Sequence, residues 1–358
     1  MFDAARLLVA RGHRVVAVTR PSEEMAGRCA GVGVEHLPLP LRSRLDLRSM
    51  RRLARSLGGR GIDVVHAHRG IAHGVALGAR YLGCGAALVV DRGVSFPLGA
   101  VSRLCYRPPR VQRVIAACEH IREVLVTSGK LPPARVDVVY GGVDIGRFDP
   151  DRCKPERFRQ ELAIPPGARL VGHEGMRDWQ GWKELLRAFP AVRERHPDAH
   201  LLLVACASEL QRRTVLETAT EMGLGGAVTT TLTREDMPDV LAACAVVVDP
   251  SWAGTGVSGT VREAMALAKP VVATALAGNP ELVENGSSGI LVEPRDVPTL
   301  AAAINHLLDD GELAARLGRR AQRRIRSRFS AEARATRLEQ VYRRALRGLR
   351  RPRSGSAR

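Results

Sequence analysis

The residues best suited to chemistry lie in AVVVDPSWAGTGVSGTVREAMALA, residues 245–268. An apolar run enters a loop of glycines and hydroxyl residues, and the loop opens a helical pattern. Gly254, Gly256 and Gly259 have the spacing G-x-G-x-x-G, and Ser258 and Thr260 add hydroxyl donors. Small residues let backbone amides approach an anion, and a helix N-terminus adds a favourable dipole. Alone, the pattern fits any flexible βα loop. With a strand before it and a helix after it, it reads as a phosphate site. A nicotinamide-binding chain would carry this loop in its first βα unit and an acid at the end of the next strand. Here the next apolar run is PVVAT, without an acid, which argues against a dehydrogenase.

Composition narrows the partners. The 358 residues are 45% hydrophobic and 26% charged, the balance of a globular chain of about two domains. No apolar run approaches the ~18 residues of a membrane span. Aromatics make up only 4%, too few for stacking platforms, and no nucleic-acid module is evident, so nucleic acid is not an expected partner. The seven cysteines include no CxxC, which disfavours zinc and redox motifs and fits a reducing cytoplasm. Net charge is +18, and residues 312–358 hold 16 arginines against three acids. This basic end, with an apolar stripe at Leu338, Tyr342, Ala345 and Leu349, predicts docking to an anionic membrane surface.

The elements that must position the loop are short Val-rich runs alternating with helical patterns. Strands are expected at 14–18, 62–66, 87–91, 112–116, 136–140, 168–172, 200–205, 245–249 and 270–273. Helices are expected at 45–58, 70–82, 118–128, 183–193, 207–221, 260–268, 297–308, about 311–327 and about 331–349. Strands apolar throughout, joined by helices, predict buried parallel sheets with right-handed crossovers. GGVDIGRFDPDRCKPE, around 141–156, breaks the rhythm and reads as a linker. The expected division is a first domain at 1–145, a linker at 146–156, a second domain at 157–330, a terminal helix at 331–350 and a disordered basic tail at 351–358. The opening MFDAARLLVARGHR reads as a helix, not a leader peptide. A doubly wound domain normally opens with a strand and a glycine-rich turn, so either that first strand is dispensable here or, as the leading expectation, it is missing through a truncated start.

PSWAGTGVSGTVREAMALAKPVVATALAGNPELVENGSSGILVEPRD resembles the donor-binding core of family-four GT-B glycosyltransferases. DVVHAHRGIAHGVALGARYLG, AACEHIREVLVTSG, VVYGGVDIGRFDP and VGHEGMRDWQGWKELLRAFPAV extend the resemblance over about 5–345. It implies two Rossmann-like doubly wound α/β domains facing a cleft. It also implies metal-independent, retaining transfer of a sugar from a nucleotide donor, which is a co-substrate, so no cofactor is expected. Catalysis would rest on stabilising the leaving diphosphate and an oxocarbenium-like sugar. The family's E-x7-E pattern places its second Glu, which contacts the ribose, at Glu263 and its first at Thr255, where the charge is lost. The family's diphosphate-neutralising Arg and Lys fall on Gly175 and Gln180, with Arg177 and Lys183 nearby as substitutes. Gly172, Gly256, Ser258, Gly259 and Thr260 complete the expected donor side, with Asn279 and Glu281, although Glu281 can instead cap its helix.

His66 and His68 end a strand and would contact acceptor or donor sugar, or be structural; both readings stand. Arg92 and Ser95 are assigned to the acceptor side. Asp149-Pro150-Asp151 has the form D-x-D, the metal motif of the other large glycosyltransferase fold, but reads as a turn in the linker, and no metal site is expected. The leading expectation is transfer to a cell-surface glycan or lipid-linked acceptor in lipopolysaccharide or polysaccharide synthesis in a bacterium. The protein would be cytoplasmic, peripheral at the inner face of the membrane. The alternative is a catalytically degenerate GT-B binding protein.

Overall fold

A computed structural model describes residues 2–68, 70–106, 110–254 and 256–350. The chain divides into two compact units, Met1–Gly142 with Ala331–Arg358, and Val143–Ser330. Each is a parallel α/β structure, as the buried Val-rich runs predict.

The first unit contains α1 (Phe2–Ala10), β1 (Val16–Thr19), α2 (Glu23–Ala30), β2 (Glu35–Pro38), α3 (Leu47–Gly58), β3 (Val64–Ala67), α4 (Gly70–Tyr81), β4 (Ala87–Arg92), α5 (Ala100–Tyr106), β5 (Val111–Ala116), α6 (Glu119–Thr127) and β6 (Val136–Val138). Its strands form two sheets, β1-β2 and β3-β4-β5-β6, all parallel. Ala87, Val89 and Ile115 pack against Ala4 of α1 and against Leu338, Val341 and Ala345 near the C-terminus of the chain.

The second unit contains α7 (Pro155–Glu161), β7 (Arg169–Glu174), α8 (Trp182–Arg195), β8 (Ala199–Cys206), α9 (Glu209–Glu221), β9 (Val228–Leu232), α10 (Met237–Ala243), β10 (Cys244–Asp249), α11 (Gly259–Ala266), β11 (Val271–Thr274), α12 (Asn279–Leu282), β12 (Ile290–Val292), α13 (Val297–Asp309) and α14 (Gly311–Arg328). One parallel sheet has the order β12-β11-β10-β7-β8-β9. Val171, Val246, Val248 and Val272 pack against Leu185, Phe189 and Val192 of α8 and Leu300 and Ile304 of α13. The expected linker, 146–156, lies inside this unit: Asp149 accepts from the Asp151 amide and caps a single 3₁₀ turn, Pro150–Arg152, after which α7 begins. Asp149 and Asp151 thus build a turn.

The last helix, α15 (Ala331–Arg350), returns to the first unit. Its apolar stripe is spent on packing: Leu338 and Ala345 are buried, together with Val341. Leu349 is exposed. The predicted membrane-facing stripe is therefore mostly core, and the arginine-rich end is two helices on two units, α14 and α15. Residues 351–358 lie outside the described residues.

Candidate functional site

The second sheet reverses direction between β7 and β10. From β7 the chain moves outward to β8 and β9, then returns to β10, β11 and β12 on the other side. Ligands of open α/β sheets bind beyond the carboxyl ends of the strands at such a switch point. Here those ends carry Glu174-Gly175-Met176-Arg177 after β7 and Pro250–Gly259 after β10.

The glycine-rich loop does open a helix. Ser258 is the N-cap of α11, its hydroxyl accepting from the Val261 amide at 3.3 Å. The amide of Ser258 donates to Asn279 Oδ1 at 3.1 Å, and Asn279 Nδ2 donates to the Thr274 carbonyl at 3.1 Å. Asn279 is wholly buried, with both ends of its amide engaged, so it anchors the loop and is not a ligand contact. A second tie runs from the Gly278 amide to the Gly256 carbonyl, 2.7 Å. The Thr260 amide, in the first turn of α11, finds no acceptor among the described residues. The Thr260 hydroxyl donates to Glu174 Oε2 at 2.6 Å, joining the start of α11 to the end of β7. Glu263 is half-buried one turn along α11. Thr255 lies outside the described residues.

The turn after β7 explains why two expected charges are absent. Gly175 has φ +116°, and a Cβ there would stand 2.0 Å from Gln180 Nε2. Gln180 Oε1 accepts from the Arg177 amide at 3.1 Å. Gly175 and Gln180 therefore build the turn itself. Lys183 is already paired with Asp178, Nζ to Oδ1 2.7 Å. Arg177 lies 5.8 Å from the Trp179 ring centroid and is exposed. Gly172 is a packing residue: a Cβ would lie 2.4 Å from Cys244 Sγ across the β7-β10 pair. Trp252 locks the two loops together, its amide donating to the Trp179 carbonyl at 2.9 Å and its indole to the Asp178 carbonyl at 3.0 Å. The Glu281 carbonyl accepts from Arg324 Nη2 at 2.8 Å, and Glu281 lies inside α12, so its predicted cap role does not apply.

In the first unit, β3 and β4 bring the predicted His66 and His68 together with Asp91 in one cluster. His66 Nε2 lies 2.7 Å from Asp91 Oδ1, and His68 Nδ1 lies 2.6 Å from Asp91 Oδ2. His66 Nδ1 is 2.8 Å from the Tyr342 hydroxyl. A carboxylate can only accept, so both imidazoles donate to Asp91. His68 therefore keeps Nε2 as its basic nitrogen. Burial alone would raise the Asp91 carboxyl, but the charge and hydrogen bond of His66, with those of His68, hold it well below the usual carboxylate range. Burial, then the charge of His66, lowers His68 despite its bond to Asp91. Burial, then Asp91, raises Tyr342. Arg334 of α15 stands 3.9 Å from Asp91 Oδ2. The ligand atoms of His66, His68 and Asp91 fall within 4.8 Å of one another, a spacing a metal ion could bridge, but each close contact to Asp91 already has the length of a hydrogen bond. Arg92 donates to the Phe96 carbonyl, shaping the loop that holds Ser95.

Sequence reasoning missed Glu174, Tyr342 and Arg334. Glu174 ends the run ARLVGHE, two residues beyond the expected strand end, a signal that was legible. Tyr342 is 276 residues from His66, and nothing local links them.

Two parallel α/β units, one with a glycine-rich loop and a helix start at its switch point, have the layout in which open α/β sheets take ligands. The comparisons with known proteins narrow this. Residues 169–310 match the family described as Glycosyl transferases group 1, and residues 1–147 match Glycosyltransferase Family 4. Both descriptions are of glycosyltransferases, and the two matches together take in most of the chain. The D-inositol 3-phosphate glycosyltransferase of Corynebacterium kroppenstedtii is 33% identical over 245 residues, 66% of this chain and 54% of the relative. That of Salinispora arenicola is 32% identical over 224 residues, 59% of this chain and 50% of the relative. The chain thus spans about half the length of the curated relatives it matches. Among solved structures, a glycosyltransferase from Rickettsia africae has a TM-score of 0.86 at 19% identity, covering 96% of this chain and 93% of its own. Anabaena HepE in complex with UDP and glucose has a TM-score of 0.80 at 22% identity, covering 95% and 93%. The fold is GT-B.

Proposed function

We propose that the protein transfers a sugar from a nucleotide-sugar donor to a cell-surface glycan or lipid-linked acceptor, with retention and without a metal. The observation that carries this reading is the start of α11 at the β7-β10 switch point, where the Thr260 amide lacks an acceptor among the described residues and the Thr260 hydroxyl is fixed to Glu174. Backbone amides of Gly256, Gly259 and Thr260, with the α11 dipole, would hold the diphosphate. Glu263 would take the ribose hydroxyls and Glu174 a donor hydroxyl. Arg177 is the exposed cation of the adjoining turn and would meet the leaving charge. The acceptor oxygen bonds to the anomeric carbon as the sugar–phosphate bond breaks, and the acceptor proton leaves with the diphosphate oxygen. Preorganised donors at that oxygen lower the barrier.

His68 Nε2, with Arg92 and Ser95, would receive the acceptor. HepE has been solved with UDP and with UDP-glucose, and the Corynebacterium relatives are named for an inositol phosphate, so UDP-sugars and inositol phosphate head the donors and acceptors to assay. Nucleic acid is not a proposed partner. With no membrane-crossing helix among the described residues, any association with the inner face of the membrane would be peripheral and electrostatic.

A second reading, binding without turnover, is favoured by one observation: Lys183 is held by Asp178, and Gly175 and Gln180 are committed to the turn. Incubation with radiolabelled nucleotide sugars, native membranes and EDTA separates the two. Transfer that survives EDTA and is lost in Glu263→Gln supports the enzyme. Absence of both transfer and donor hydrolysis with every nucleotide sugar supports the silent binder.

A further inference from the structure

His173 stands two residues beyond Val171 on β7, so its ring leaves the same face of the strand, beside the core that Val171, Leu203 and Val248 share with Leu185 of α8. It is 2% exposed. The pairing of β7 with β10 runs as far as Gly172 and Val247, and one residue further the ring takes over. Its Nδ1 lies 3.0 Å from the Val248 carbonyl oxygen of β10. Its Nε2 lies 2.6 Å from the carbonyl oxygen of Gly175, in the turn that leaves β7. Carbonyl oxygens only accept. A neutral imidazole has one N–H and satisfies one of them, whereas the imidazolium has two and satisfies both. The Nε2 contact is also shorter than a neutral N–H···O bond usually is, as a charged donor makes it.

We propose that His173 is an imidazolium in the donor-bound protein: a positioning residue that pins the turn after β7 to the end of β10 and supplies a buried positive charge to the diphosphate held at that switch point. A buried charge is costly unless one of opposite sign answers it. The ionisable groups on the elements around the ring are engaged elsewhere. Glu174, next on β7, accepts from Thr260, and Asp249, at the end of β10, accepts from the Ser251 amide and hydroxyl. On α8, Lys183 pairs with Asp178, and Glu184 faces Arg187 at 3.9 Å. On β8, burial raises the Cys206 thiol, which stays neutral. In the turn, Arg177 is exposed. Among the described residues no carboxylate pairs with His173. The diphosphate of a nucleotide donor is the anion that answers it. An anion nearby favours the imidazolium, and by linkage the imidazolium favours the anion, so donor binding takes up a proton. The same charge explains how the turn dispenses with side-chain cations at Gly175 and Gln180, which are committed to its shape: the positive charge enters from the core. This inference rests on the donor reading of the switch point, and its test separates the two.

The test is calorimetric titration of the whole chain with UDP at pH 7.5 and pH 8.5, each in two buffers of different ionisation enthalpy, together with nitrogen NMR of protein carrying isotope-labelled histidine. Phosphate groups complete their second ionisation near pH 6, so the charge of UDP stays constant over this range. The expected results are uptake of part of a proton per UDP bound and an affinity about three- to ten-fold weaker at the higher pH, ten-fold being the limit for one proton. In the UDP complex at pH 7.5, one histidine should show both ring nitrogens protonated. His173→Gln should lose that signal, take up no proton and bind UDP with little dependence on pH. Proton uptake measured on the natural chain keeps the test independent of how the variant folds. UDP binding without proton uptake, uptake that persists in His173→Gln, or a complex in which no histidine has both nitrogens protonated overturns the proposal and leaves the donor site standing. Failure of UDP and of every nucleotide sugar to bind at either pH overturns the donor reading, and this proposal with it.

Discussion

Asp91 accepts hydrogen bonds from two imidazoles, and that arrangement fixes how the first unit responds to acid. His68 is held below its ordinary value, so the fold favours its neutral form. The unfolded chain takes up this proton near pH 6.5 and the folded chain only at lower pH. Stability is therefore full above about pH 6.5 and declines as pH falls below it. Asp91, depressed in the fold, adds stability that is present above about pH 4 and lost below it. Urea midpoints measured between pH 7.5 and pH 5 should fall, and His68→Gln should flatten that fall. A wild-type midpoint unchanged across this range would contradict the assignment. His66, His68 and Asp91 were each visible in sequence as strand-end residues. Their union was not, because pairing β3 with β4 creates it, and Tyr342 arrives from a helix at the far end of the chain.

Helices and strands hold the donor-side loops through a few tight contacts. Gly181 has φ +80°, and a Cβ there would stand 2.0 Å from the Pro250 carbonyl oxygen, where the start of α8 meets the loop after β10. Gly181→Ala combines that clash with a left-handed backbone costing about 1–2 kcal/mol, so it should lower Tm and weaken nucleotide binding together. Thr260→Val removes only the tie to Glu174. It should leave Tm nearly unchanged while raising the donor KM several-fold, corresponding to about 1 kcal/mol for one hydrogen bond. Steady-state kinetics and thermal melts on both variants check this contrast. The unread elements have a common cause. The strands β2, β9 and β12 all lie at sheet edges, where a neighbour on one side alone relaxes the demand for a continuous apolar run. The unread helices α2, α5, α7, α10 and α12 have eight residues or fewer, too short for a 3.6-residue period to stand out.

At the scale of the molecule, the concentration of arginine near the C-terminus has two structural addresses. Arg316, Arg319, Arg320 and Arg323 are exposed on α14 of the second unit. On α15 of the first unit, Arg344 pairs with Asp137 at 2.9 Å and Arg334 approaches Asp91. The buried face of α15 makes Leu338→Ala a stability mutation, costing about 2–4 kcal/mol. It should leave binding to anionic vesicles unchanged, while raising salt from 0.1 M to about 1 M, which shortens the screening length, should abolish that binding. Denaturation curves and vesicle sedimentation test the two halves separately. The central claim is that the β7-β10 switch point of the second unit is the nucleotide-sugar site. Its most direct test is titration with UDP and UDP-sugars followed by hydrogen exchange. Saturable binding with protection confined to the segments around 174–181 and 256–263 is the predicted result. No binding by any nucleotide sugar, or protection that falls in the first unit alone, would contradict it.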